Sequence, residues 1–299
     1  MPTKTIRVGD TTKPDPFTVA IIANPYLEAP WNSGTFVPDP IRTNQPAFDS
    51  CVNYIVASLF GGLAGQAERL LGDLAIAPKV RVLSVFDPGV PSGDQNSLVA
   101  QDGVSNLLVP RRDNFKPFLA QHGVEADVAY AVSLSQSHTR ASAWFTTDDD
   151  AGPGNNFTLD GKTFSHRHRN ITPGTIAIHS SATSMTAVHE FGHALSSYSN
   201  GAVLDLYVDS KLGLNNKRGR PIPASFATYD GVVMASDPIR DSLGYPVTWQ
   251  SYHCELITPA FPALMDNYWM APGGIPEHCQ HDRITRQFLM DRVRAKISR

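Results

Sequence analysis

The chain has 299 residues and a mass of 32.5 kDa, enough for one large or two small domains around a sizeable core, so a free peptide ligand or a disulfide-stapled mini-domain is excluded. Hydrophobic residues make up 41% and charged residues 18%, a balance that argues against disorder. Lys plus Arg (25) nearly offset Asp plus Glu (28) for a net charge of −3, and no basic run is present to neutralise phosphates or anionic lipid, so neither nucleic acid nor a membrane surface is an expected partner.

Residues 17–23 (FTVAIIA) form a short β-branched run behind Lys13-Pro14-Asp15-Pro16 and are predicted as a buried strand. Residues 24–46 carry five prolines and little periodicity, which reads as a long loop suited to contacting a substrate. From residue 47 to 71 apolar side chains recur at helical spacing: Val52, Ile55, Val56 and Leu59, then, past Gly61-Gly62, Leu63, Ala67 and Leu70. Residues 79–86 and 126–134 alternate as strands, with a short helix expected at 115–121 between them. Strand, helix, strand, helix, strand implies an α/β (α+β) layer with a partly parallel, mixed sheet.

Residues 135–173 read as a long loop or small hairpin. Asp148, Asp149, Asp150 and Asn155 lack the spacing of an EF-hand calcium loop, and His166 and His168 have no third donor nearby, so solvated polar turns are expected there. A strand is predicted at 175–179, a helix at 183–200 stopped by Gly201, a turn-rich stretch at 202–262, and a closing helix at 283–297 with Asp282 as its N-cap. The simplest organisation is one domain with two lobes, residues 1–200 carrying the sheet and the 183–200 helix, and residues 201–299 forming the second lobe.

Cys51, Cys254 and Cys279 are too few and too scattered for a disulfide framework, although Cys254 and Cys279 are able to pair in an oxidising compartment. No signal peptide is visible, so the chain as written reads as cytoplasmic, or as secreted if a leader was removed. No apolar run approaches the length of a membrane span.

Glutamate is scarce: only six occur, at 28, 68, 125, 190, 255 and 277. One of them stands inside His189-Glu190-Phe191-Gly192-His193, the pattern His-Glu-x-x-His. Four helical residues turn about 400°, so His189 and His193 project from one face one turn apart, where two nitrogens can meet one zinc ion. Glu190 lies about 60° round from His193, within reach of a water at that ion. Met185, Val188, Phe191, Leu195 and Tyr198 give the segment a buried stripe, and Ser181, Thr183 and Ser184 offer N-cap oxygens.

With these residues the chain resembles the zincin metallopeptidases. The resemblance implies a zincin or metzincin-like catalytic domain that binds Zn2+ through His189 and His193 and hydrolyses peptide or protein substrates. Glu190 would be the general base that activates water and returns the proton to the leaving amine. The extended metzincin motif does not continue, since Ser196 and Ser199 follow His193 at +3 and +6, and the next Glu is Glu255. A third ligand is therefore expected among Asp205, Asp209, Asp230 and the later histidines, with Asp205 preferred. Asp205-Leu206-Tyr207 is similar to the Asp-Glu-Tyr segment that follows the motif helix in IgA-peptidase-like metallopeptidases. Met265 and Tyr268 resemble the metzincin Met turn and the tyrosine that stabilises the tetrahedral intermediate. The metzincin analogy also implies that strand 175–179 is the sheet edge where an extended substrate pairs.

His253 with Cys254, and His278, Cys279 and His281, form a second cluster that reads as structural, with His281 a reserve third ligand. Two other functions remain open: a zinc hydrolase of a non-peptide amide, and a binding protein on the same scaffold without turnover.

Overall fold

The fold is seen in a computed structural model that describes residues 2–63, 65–66, 68–103, 106–144, 146, 173–182, 184–196, 203, 264–265, 280–281 and 283–298, with the backbone of several short strands between them. The architecture is mixed α/β with two mixed sheets. Six strands form the larger sheet: β1 (Thr3–Arg7), β2 (Thr18–Ala23), β5 (Arg81–Val85), β8 (Val128–Ser133), β9 (Ser142–Trp144) and β12 (Gly174–His179), in the order β1-β5-β2-β8-β12-β9. The four central strands run parallel, and β1 and β9 are antiparallel edges. The second sheet has the order β4-β3-β6-β7, from β3 (Tyr26–Glu28), β4 (Phe36–Pro38), β6 (Ser97–Gln101) and β7 (Leu108–Pro110).

Alternation along the parallel strands divides the core in two. In β2, Val19 and Ile21 point into one cluster and Ala20 and Ile22 into the other, because successive side chains leave opposite faces. The first cluster packs the sheet against three helices: α1 (Gln45–Phe60), α3 (Ser184–Leu195) and α4 (Arg283–Ile297), through Phe48, Ile55, Phe191, Leu289 and Val293. The second packs it against the smaller sheet and α2 (Arg112–Gln121), through Leu27, Leu98, Phe115 and Phe118. Backbone hairpins β10 (Asn156–Leu159) with β11 (Lys162–Ser165), and β13 (Phe226–Tyr229) with β14 (Val232–Ala235), are also present. Among the described residues no helix is long and apolar enough to cross a membrane.

Several expectations are corrected. The proline-rich stretch 24–46 is not one loop: β3 and β4 pair within it, and a 3₁₀ helix at Pro40–Thr43 follows. Helix α1 stops at Phe60 because Gly61 takes a left-handed conformation (φ 78°), so the apolar residues Leu70 and Leu71 enter the core from irregular chain. The strand at 175–179 exists as β12, but it is not an edge; β9 covers it, and β9 is the edge on that side. Helix α3 ends at Leu195, five residues before the expected stop.

Candidate metal centre

Helix α3 lies under β12 and β9 and buries Met185, Val188 and Phe191 completely. Tyr130, from β8, donates its hydroxyl to the carbonyl of Ala187 at 2.8 Å. Burial, and after it the charge of Glu190, push the Tyr130 hydroxyl well above its ordinary pKa, so it remains a neutral donor and fastens the helix to the sheet.

The helix ends where its carbonyls find other partners. Thr146 N–H, just past β9, donates to the carbonyls of Ala194 and Ser196, both at 2.9 Å. Ser196 is fully buried; its hydroxyl donates to His193 O at 2.7 Å and accepts the N–H of Val203 at 3.0 Å. One side chain thereby closes the helix and ties the returning chain to it.

That return completes the setting of the two histidines, whose rings are buried with centroids 4.7 Å apart at 87°. His193 Nδ1 lies 2.6 Å from the carbonyl of Val203, and His189 Nδ1 lies 2.8 Å from the carbonyl of Leu264. A carbonyl oxygen only accepts, so each Nδ1 carries the hydrogen and a neutral ring keeps its lone pair on Nε2. The two Nε2 atoms are 3.1 Å apart. Two lone pairs brought this close repel until a cation, metal or proton, lies between them. The arrangement is also the one in which metal-binding histidines are oriented, with the far nitrogen donated to a fixed acceptor. Two nitrogens about 2.0–2.1 Å from one tetrahedral zinc are roughly 3.3 Å apart, so the observed separation fits that ion.

Glu190 is buried beside the pair, with 7% of its surface exposed. Met265 is fully buried in a turn with Leu264, directly against α3: a Cβ added at Gly192 would meet Met265 Sδ at 3.3 Å and His281 Nε2 at 3.1 Å. Met265, expected from the sequence to form the Met turn, therefore packs against α3 at Gly192.

His281, the reserve third ligand, is buried against α3 beside Met265. Its ring Nδ1 donates to Glu68 at 3.0 Å, and among the described residues no three His, Cys, Asp or Glu side chains converge on one point. Asp205, Asp209, Asp230 and Tyr268 lie outside the described residues, as do His166, His168, His253, Cys254, His278, Cys279 and the aspartates 148–150. Cys51 is buried with its thiol pushed up to about 12 by desolvation, so it is an inert core residue.

No protein-family model and no curated protein matches the chain. Ser196 and the carbonyls of Val203 and Leu264 were missed from sequence. A polar residue three positions after the second histidine was the only available signal, and a main-chain carbonyl leaves none.

Proposed function

We propose that the chain is a zinc-dependent hydrolase of peptide bonds, in which His189 and His193 hold the metal, Glu190 is the general base, and the fold is a zincin-like catalytic domain. The observation that carries this reading is the convergence of two Nε2 atoms, 3.1 Å apart, from rings whose Nδ1 hydrogens are both committed to carbonyls. When bound, zinc supplies a Lewis acid that polarises a carbonyl oxygen and acidifies water in contact with it. Leu264 and Val203 hold the two rings in the tautomer that turns the two Nε2 lone pairs toward one another. Glu190, one residue from His189 and largely shielded from solvent, accepts the proton of the attacking water and delivers it to the leaving amine. The antiparallel edge β9 takes the place proposed earlier for β12, offering main-chain groups to an extended substrate beside α3. Asp205 remains the proposed third ligand because Val203, two positions before it, is pinned to His193, and Tyr268 remains the proposed oxyanion stabiliser.

The test joins metal analysis to one substitution. Purified protein is expected to hold one zinc per chain, and Glu190→Gln to keep that zinc while hydrolysis of a peptide library falls about 10²–10⁴-fold. A folded chain that binds no zinc would overturn the reading and leave the histidine pair sharing a proton. Stoichiometric zinc with no peptide cleavage would move the substrate to a non-peptide amide.

A further inference from the structure

Glu68 is 1% exposed, in the irregular chain after α1, and it is one of only six glutamates. A carboxylate that deep must be held by donors, and four surround it. Its Oε2 accepts the backbone N–H of His281 at 2.9 Å and the ring Nδ1–H of the same residue at 3.0 Å. Its Oε1 accepts the N–H of Arg69 at 2.8 Å and faces Arg286 Nε at 3.4 Å.

The hydrogen bonds continue beyond this pair. The N–H of His281 and the carbonyl of Gln280 belong to one planar peptide unit, so fixing the first fixes the second. That carbonyl accepts the N–H of Leu264 at 2.7 Å, and the carbonyl of Leu264 accepts His189 Nδ1–H at 2.8 Å. The His281 ring follows a parallel route, with Nε2 buried, without a hydrogen-bond partner among the described residues, and pressed on Gly192 beside Met265.

We propose that Glu68 is a positioning residue for His189, holding its ring through the 280–281 peptide and the Leu264 turn. The inference rests on the reading of His189 as a zinc ligand only for its functional consequence; the relay itself is a property of the chain. A rigid path from a buried carboxylate to the ring removes the freedom that would otherwise let Nε2 swing away from its neighbour on His193. A packing role alone would not require the second oxygen to take both donors of residue 281.

Three measurements decide it. Histidine ring 15N–1H spectra of the metal-free chain are expected to show His189 as the Nδ1–H tautomer with a strongly hydrogen-bonded proton, and Glu68→Gln to shift or broaden that resonance. Zinc affinity, read by competition with a chromophoric chelator, is expected to fall about 10–100-fold in Glu68→Gln. Val293→Ala, which opens a cavity in α4 away from the relay, is expected to lower stability with zinc affinity unchanged. A folded Glu68→Gln with the His189 resonance and the zinc affinity of the parent overturns the proposal, and so does Val293→Ala weakening zinc equally. If Glu68→Gln does not fold, the parent chain decides: the His281 ring must carry a hydrogen on Nδ1 that is bonded to Glu68, and the amides of His281 and Leu264 must be protected together from hydrogen exchange. A parent chain that binds no zinc while Glu68→Gln still moves the His189 resonance would remove the hydrolase reading and leave the relay standing.

Discussion

His189 and His193 owe their geometry to partners that carry no side-chain identity. The spacing of four within a helix was enough to put both rings on one face, and they are there. Their tautomers, however, are set by two main-chain carbonyls, 10 residues away at Val203 and 75 away at Leu264. Ser196 shows how one hydroxyl supports such a contact. Replacing it with Ala removes the donor to His193 O and strands the N–H of Val203 in a buried place, which costs about 1–3 kcal/mol. Ser196→Ala is therefore expected to lower the urea midpoint and weaken zinc binding together, because the displaced segment carries the acceptor of His193. Unchanged zinc affinity in a destabilised variant would separate the two effects and remove Ser196 from the support of the site.

Helix α3 is held between the sheet and the C-terminal segments, and its end comes very close to β12. The N–H of Gly174, at the start of β12, donates to Asp127 O at 2.9 Å, while its Cα faces the last turn of α3 so closely that an added Cβ would stand 1.9 Å from the carbonyl of Ala194. Only a residue without a side chain allows strand and helix to approach this far. Gly174→Ala is expected to cost at least about 3 kcal/mol, seen as a large fall in thermal midpoint, since backbone rather than a movable side chain blocks the methyl group. A change under about 1 kcal/mol would mean that the junction can open.

The same junction explains which elements were legible. Strands β2, β5, β8 and β12 lie within two residues of their expected positions, because a short β-branched or alternating run is displayed by a few consecutive residues alone. Helix α3 was expected to run to Asn200, since helical spacing of apolar residues continues to Tyr198; the capping of its carbonyls by Thr146, 48 residues before Ala194, ended it sooner. Strand β12 was placed at the edge because β9, three residues long and half-buried, has too short a pattern to read.

Glu68 joins two segments of the chain that are 213 residues apart in sequence. Burial pushes its carboxyl up, but the hydrogen bonds and charge of His281, with the charge of Arg286, outweigh that and hold it below the ordinary 4.5. A carboxylate whose pKa is lower folded than unfolded stabilises the fold fully above the unfolded value, and that contribution is lost as pH falls through the folded value. In chelator-treated protein, the stability gap between the parent chain and Glu68→Gln is expected to be largest at pH 7 and to shrink on acidification below about pH 4.5. A gap independent of pH would show that the charge of Glu68 is not what the substitution removes.

Local order carried the α/β class, the parallel strands and the His-Glu-x-x-His face of α3, since each follows from a repeat of two or 3.6 residues that a short stretch of chain displays by itself. The tertiary structure alone brought the carbonyls of Val203 and Leu264, and Glu68 behind His281, to the support of that helix. Hydrogen bonds to main-chain carbonyls, and contacts between residues far apart in the chain, depend on how the chain returns upon itself, and no periodicity records that path.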